Sequence, residues 1–142
     1  MATSSLALRT TTFTTTTSAC WELRTAAAMR PRMLELSLIQ ATGTACSWGL
    51  GRPQAIGVTP VNVAFQMDDP GDAASTLNAS LSWATSPTVP LIYLRRWNSA
   101  ATVGVGIVWT FPRGLVVPVS SGLVLWNITT TVAADVNCAC DE

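Results

Sequence analysis

"MLELSLIQA", Met33 to Ala41, alternates with a period of two: Leu34, Leu36 and Leu38 fall on one face, and Met33, Glu35, Ser37 and Ile39 on the other. Successive side chains of a strand point to opposite faces, so this pattern marks a strand with one buried face. The same grammar recurs on either side. "TACSWGL" (44–50) is a second strand, closed by the turn-rich Gly49-Leu50-Gly51-Arg52-Pro53. "VNVAFQM" (61–67) sets Val61, Val63, Phe65 and Met67 on one side, and after the polar "DDPGDAAS" the stretch "LNASLSWA" aligns Leu77, Ala79, Leu81 and Trp83. "LIYLRRW", "TVGVGIVWTF" and "TTTVAADVNCAC" follow as further β-rich runs, the second interrupted by Gly104 and Gly106. Upstream, "TAAAMRPRM" (25–33) allows a short helical turn that Pro31 cuts by holding Arg30 extended.

"FPRGLVVPVSSGLVLWN", Phe111 to Asn127, reads as two arms of a hairpin around Ser120-Ser121-Gly122, their apolar runs serving as core and contact surface. Pro118 cannot donate to a ladder, which confines its strand to an edge or a bulge. Roughly eight or nine short strands separated by Pro, Gly, Ser and Asp clusters, with no amphipathic helix, predict an all-β chain: an antiparallel β-sandwich or barrel.

A chain of 142 residues suits one domain. Its first twenty residues differ from the rest, with Thr at every position from Thr10 to Thr17 except Phe13. β-Branched Thr favours extended backbone and offers little core. The expected organisation is an extended arm over 1–20 and a single β domain over 21–142. Such an arm docks by adding a strand to a neighbouring subunit's sheet, with Leu6, Leu8 and Phe13 as its apolar anchors, and contributes to assembly more than to the fold of the body.

Only 11% of the residues are charged, and eight Arg, no Lys and eight acids give a formal charge of zero. Capture of nucleic acid needs many uncompensated cations, so it is not expected. No apolar run reaches the roughly 18 residues of a membrane-spanning helix. A weakly charged, Lys-free chain with eight Arg and six Trp has the composition of an interface, which predicts a homo-oligomer. Arg95, Arg96, Trp97 and Trp126 join Leu6, Leu8 and Phe13 as candidate subunit or partner contacts. With no His, imidazole triads and imidazole metal sites are excluded, and with no Lys so are Schiff-base and P-loop chemistry. No enzyme activity, cofactor or metal is expected. Asp68, Asp69 and Asp72 in "MDDPGD" have the oxygens for a calcium ion, but Asp-Pro-Gly is an ordinary turn. The start of the chain lacks the basic and apolar regions of a secretory signal, so Cys20, Cys46, Cys138 and Cys140 are read as buried free thiols, or alternatively as a disulfide from Cys20 to Cys138 or Cys140.

The Thr-rich arm, the stretch "GVGIVWTFPRGLVVPVSSGLVLWN" (104–127) and the acidic end Asp141-Glu142 together resemble the small virion proteins of tailed bacteriophages, most closely the head decoration (cement or auxiliary) proteins. The resemblance implies a jelly-roll-like fold, a homotrimer, the major capsid protein as partner, and a place on the outside of the virion shell after synthesis in the host cytoplasm. A tail or fibre component shares the same features. A carbohydrate-binding β-sandwich, stacking sugars on exposed Trp, is the other alternative.

Overall fold

The computed structural model describes residues 2–10, 17–25, 29–119 and 121–142. Among them the chain forms eleven strands and no helix: β1 Thr3–Arg9, β2 Ser18–Thr25, β3 Arg32–Gln40, β4 Cys46–Gly51, β5 Val58–Ala64, β6 Gln66–Met67, β7 Leu77–Thr85, β8 Tyr93–Ser99, β9 Gly106–Val116, β10 Leu123–Asn127 and β11 Ala134–Asp141. They build a five-stranded sheet, β6-β1-β11-β3-β9, packed on a six-stranded sheet, β5-β7-β2-β10-β4-β8. The result is an antiparallel β-sandwich and not a closed barrel. No helix among the described residues is long and apolar enough to cross a membrane.

The strand order has a simple origin. β1 pairs with β11, β2 with β10, β3 with β9 and β4 with β8, so the two halves of the chain form one long antiparallel ribbon. Consecutive segments of that ribbon alternate between the sheets. Folding it over itself adds the β11·β3 and β10·β4 pairs and closes the sheets in the manner of a jelly roll. β5, β6 and β7 are inserted at the ribbon's far end and return to flank β2 and β1.

The core lies between the sheets and joins Trp21, Leu23, Trp48, Leu50, Leu123 and Leu125 of one to Leu36, Leu38, Val136 and Cys138 of the other. In β3 the alternation holds for Leu36 and Leu38, but Met33 is buried and Leu34 only half-buried, because the ladder to β9 skips between Met33 and Glu35. A bulge shifts every side chain beyond it to the other face.

Four expectations are corrected. The two arms of Phe111–Asn127 are not a hairpin: β9 is the edge of the five-stranded sheet, whereas β10 lies between β2 and β4 in the other. The chain between them crosses from one sheet to the other after the Val117 N–H bonds the Pro31 carbonyl at 2.8 Å, which extends the β3·β9 ladder by one residue. β10 is buried on both faces, which is why its run is continuously apolar rather than alternating. Second, Val61 and Val63 do not share a face of the core with Phe65; they are exposed on β5, and only Phe65, where the chain leaves one sheet for the other, is buried. Third, Ser18–Thr25, expected to be the end of the arm and the start of the body, is an inner strand; residues 26–28 of the stretch that allows a helical turn lie outside the described residues.

The fourth correction concerns the arm itself. Thr3–Arg9 is extended as expected, but it is β1, an inner strand of this chain's own sheet, in register with β11 from Thr3↔Asp141 to Arg9↔Asp135. Ala2 and Glu142 exchange backbone hydrogen bonds of 3.1 and 2.9 Å, and the Thr10 N–H reaches the Ala134 carbonyl at 2.8 Å. The alternation of Leu6 and Leu8 turns both onto the core, a face that a short stretch of alternating polar and apolar residues does not advertise. The Thr11–Thr16 part of the arm lies outside the described residues.

The outer face of the six-stranded sheet is covered by two segments, 52–57 and 86–92, held to each other by bonds from Gln54 N to Thr88 O and from Thr88 N to Ala55 O. Beneath them Ala19, Val124 and Trp126 form a second small core with Trp83, Tyr93 and Ile128. Gly49 makes this possible: a Cβ there would lie 2.5 Å from the Tyr93 ring.

Candidate interaction surface

β8 and β9 are the edge strands of the two sheets, and their side chains meet at one flank of the sandwich. The register Leu50↔Arg95 and Trp48↔Trp97 turns Arg95 and Trp97 toward the space between the sheets. Trp97 is half-buried against the core. Arg95, at the open mouth of the flank, lays its guanidinium 5.2 Å over the ring of Phe111 on β9, while Arg96 points the other way, 5.7 Å over Tyr93. Such stacks on exposed edges contribute about 0.5–1 kcal/mol each.

β9 departs from β3 here. Met33 pairs with Leu115 and Glu35 with Thr110, so residues 111–114 loop out of the ladder. Gly114 takes φ +66°, and a Cβ on it would lie 2.5 Å from the Cβ of Arg32. Only glycine allows both the left-handed backbone and that approach. The bulge thereby carries Arg113 to Arg32, whose Nη1 donates to the Arg113 carbonyl at 2.7 Å. Between Arg95 and Arg113 runs a groove of about 380 Å3 floored by Phe111, Pro112 and Leu115. Charges and a bulge on edge strands also block uncontrolled edge-to-edge pairing.

Of the other expected contacts, Leu6 and Leu8 are half-buried against the core of their own chain, and Phe13 lies outside the described residues. Trp126, 1% exposed, is a core residue and offers no contact surface. Of the six Trp, Trp83 and Trp97 are half-buried and the other four are buried. The four cysteines are free and buried, with the Cys138 and Cys140 sulfurs 3.6 Å apart. Burial pushes the Cys20 and Cys138 thiols well above the ordinary thiol range, so both stay protonated. "MDDPGD" is a turn: Asp69 accepts from the Gly71 N–H at 2.8 Å, and Asp68 from the Ser5 hydroxyl at 2.6 Å.

Three features escaped the sequence reading. Leu91 and Ile92, 85% and 79% exposed, stand on the covering loop, with exposed Val89 nearby. The signal was an apolar pair directly after Pro90, which strand reading absorbed into "LIYLRRW". Glu22 on β2 is fully buried, 2.7 Å from the Arg24 Nη2, and accepts the indole N–H of Trp83 at 2.5 Å. The third is Glu142, whose carboxylate accepts from Ser4 Oγ at 2.7 Å, from the Thr76 N–H and hydroxyl at 2.8 Å each, and from the Ser75 hydroxyl. Desolvation pushes its pKa up, but these donors outweigh it and hold the group below its ordinary 4.5. A depressed folded-state pKa means that the stability Glu142 contributes is complete above about pH 5 and is lost as pH falls through the folded value. Glu142→Gln should therefore lower the melting temperature at pH 7 and narrow the gap to wild type in acid, as thermal melts from pH 7 to 3 would show; a gap constant with pH would contradict the assignment.

No protein family, no curated protein and no solved structure matches the chain.

Proposed function

We propose that this protein is a non-enzymatic structural subunit of a phage virion, bound as a trimer to the outside of the capsid, where it bridges capsid subunits and stabilises the shell. The observation that carries the reading is the strand order, the folded ribbon of a jelly roll, an architecture used by viral capsid and lectin domains. The lectin side of that pair needs an exposed aromatic platform, and here the Trp side chains are committed to packing. The shell side needs contact surface. The exposed apolar loop at Leu91 and Ile92 and the arginine-lined β8/β9 flank supply two separate patches of it, and a trimer that engages through several weak patches gains from high effective concentration once the first is made.

Incubating the protein with empty capsids of its phage and pelleting them tests this directly. Co-sedimentation at a fixed stoichiometry, with a mass of three chains for the free protein by light scattering, is the expected result. Leu91→Asp combined with Ile92→Asp should leave the melting temperature within about 2 °C, since both side chains are solvated, yet weaken shell binding by about 10-fold or more. A wild-type chain that stays in the supernatant, or that remains a monomer at all concentrations, contradicts the proposal.

A further inference from the structure

The β8/β9 flank carries more positive charge than the chain around it neutralises. Arg32, Arg95, Arg96 and Arg113 gather there, and among the described residues the ion pairs within 4.0 Å are made by other arginines, Arg9 with Asp135 and Arg24 with Glu22. Arg95 and Arg32 donate to the carbonyls of Leu94 and Arg113 and make no ion pair within that distance, with Asp141 opposite Arg32 across the β3·β11 ladder as the nearest acid in register. The opposite flank is the reverse. β6 ends in the turn Asp68–Asp72, whose three carboxylates are exposed and face no arginine within ion-pair distance. That turn is already rigid: the Asp72 N–H bonds the Asp69 carbonyl at 3.1 Å, Asp69 holds Gly71, and Asp68 is tied to Ser5.

These two patches cannot meet within one molecule. In the sheet order β6-β1-β11-β3-β9 they lie at opposite edges. Four inter-strand steps of about 4.8 Å separate them by roughly 19 Å. Each copy therefore presents one basic groove and one acidic turn, in a chain whose formal charge is zero.

We propose that the groove between Arg95 and Arg113 binds the Asp68–Asp72 turn of a second copy of this chain. The guanidinium forks take the carboxylates, for which their planar geometry is suited, while Met67 and Pro70 lie on the floor of Phe111, Pro112 and Leu115. Because the turn is held by its own hydrogen bonds, little ordering entropy is lost on docking. Unlike patches on each copy make the contact heterologous, so it repeats head to tail, giving a closed ring such as a trimer where the rotation between copies closes and a filament where it does not. The inference rests on the chain being a self-associating subunit and does not depend on a capsid as its target.

A charge-swap series on the full chain, read by sedimentation velocity over about 1–100 μM, tests it. Arg95→Glu with Arg113→Glu should weaken self-association by about 100-fold or more, and so should Asp68→Arg with Asp72→Arg. The chain carrying all four substitutions regains both complementary patches and should reassociate to the wild-type mass. Raising the salt should weaken the wild-type assembly, since the pairs lie at an exposed rim. Arg113→Gln and Asp72→Asn, neutral changes at exposed sites, serve where a reversal lowers the melting temperature; each should weaken association by roughly 10-fold. A monomeric wild type, single reversals that leave the mass unchanged, or a quadruple variant that stays dissociated would each overturn the proposal. Capsid pelleting separates the two readings: a chain that assembles through these flanks but ignores capsids refutes the shell role alone, and one that decorates capsids while its self-association is unchanged by the flank reversals refutes this interface alone.

Discussion

Removing residues 1–10 should cost this protein its cooperative fold. β1 lies between β6 and β11, so its loss leaves β11 as a bare edge and β6 without its partner. Leu6 and Leu8 leave the core, at roughly 2 kcal/mol each for side chains of that size. Ser4 is fully buried and donates to Glu142, and Thr10, also buried, accepts the Ala134 N–H at 2.9 Å, so two polar contacts of the body go with the strand. A loss of at least about 4 kcal/mol stands against a total of roughly 5–15 kcal/mol for a typical domain. The truncated chain should melt more than about 10 °C below the full chain or show no cooperative transition, and the exposed β11 edge should promote aggregation. Circular dichroism melts of the two chains decide it. A truncated protein that melts within about 2 °C of the full chain would mean that the segment is an accessory arm after all.

Why β1 was legible as extended but not as part of the body follows from where strand information resides. "TSSLALR" alternates, and the alternation gives conformation. Its partner, β11, is more than a hundred residues away, and no local signal chooses between an edge in the same chain and an edge in a neighbour. The same limit explains the hairpin. "GLVVPV" and "GLVLWN" are both strand-forming and separated by turn residues, which is what a hairpin shows, but also what a crossing between sheets shows. The feature that separates the cases is the continuous burial of Leu123–Asn127, a property of sheet position rather than of sequence period. "LNASLSWA" was readable only in its first part: Leu77, Ala79 and Leu81 pack on the core between the sheets as their spacing requires, whereas Trp83, expected on the same face, packs on the outer face with Trp126, beyond a register shift in the β5·β7 ladder. The β8/β9 flank was readable in its residue types, since Arg95 and Arg96 stand out in an apolar stretch. Its shape was not, because the bulge at 111–114 is set by Gly114 and its approach to Arg32 from another strand.

Glu22 offers the second large effect, and it tests the packing of the outer face of the six-stranded sheet. The sequence shows a charge between Trp21 and Leu23, with Arg24 two residues on and therefore on the same face. In the fold that face is covered: Glu22 is fully buried, its partner Arg24 is 19% exposed, and the loop at Gly57 closes over both, with the Arg24 Nη2 also donating to the Gly57 carbonyl. Gly57 sits so close to Trp83 that a Cβ would lie 2.2 Å from the ring, so the loop packs directly on the indole. Removing one member of a buried pair leaves the other charged, desolvated and unmatched, at about 3–5 kcal/mol, far more than an exposed pair such as Arg9–Asp135 contributes. Glu22→Ala should therefore lower the melting temperature by more than about 10 °C, while Asp135→Ala shifts it by about 2 °C or less. Glu22→Gln keeps an acceptor for the Trp83 indole and should fall between. The decisive variant is Glu22→Leu with Arg24→Met, which removes both charges and fills the space with apolar atoms. It should recover most of the stability lost in Glu22→Ala, because pairing the charges does little more than repay their desolvation. A double variant as unstable as Glu22→Ala would show instead that the carboxylate is needed for its hydrogen bonds to the indole and the Gly57 loop, and that the cover over Trp126 depends on them.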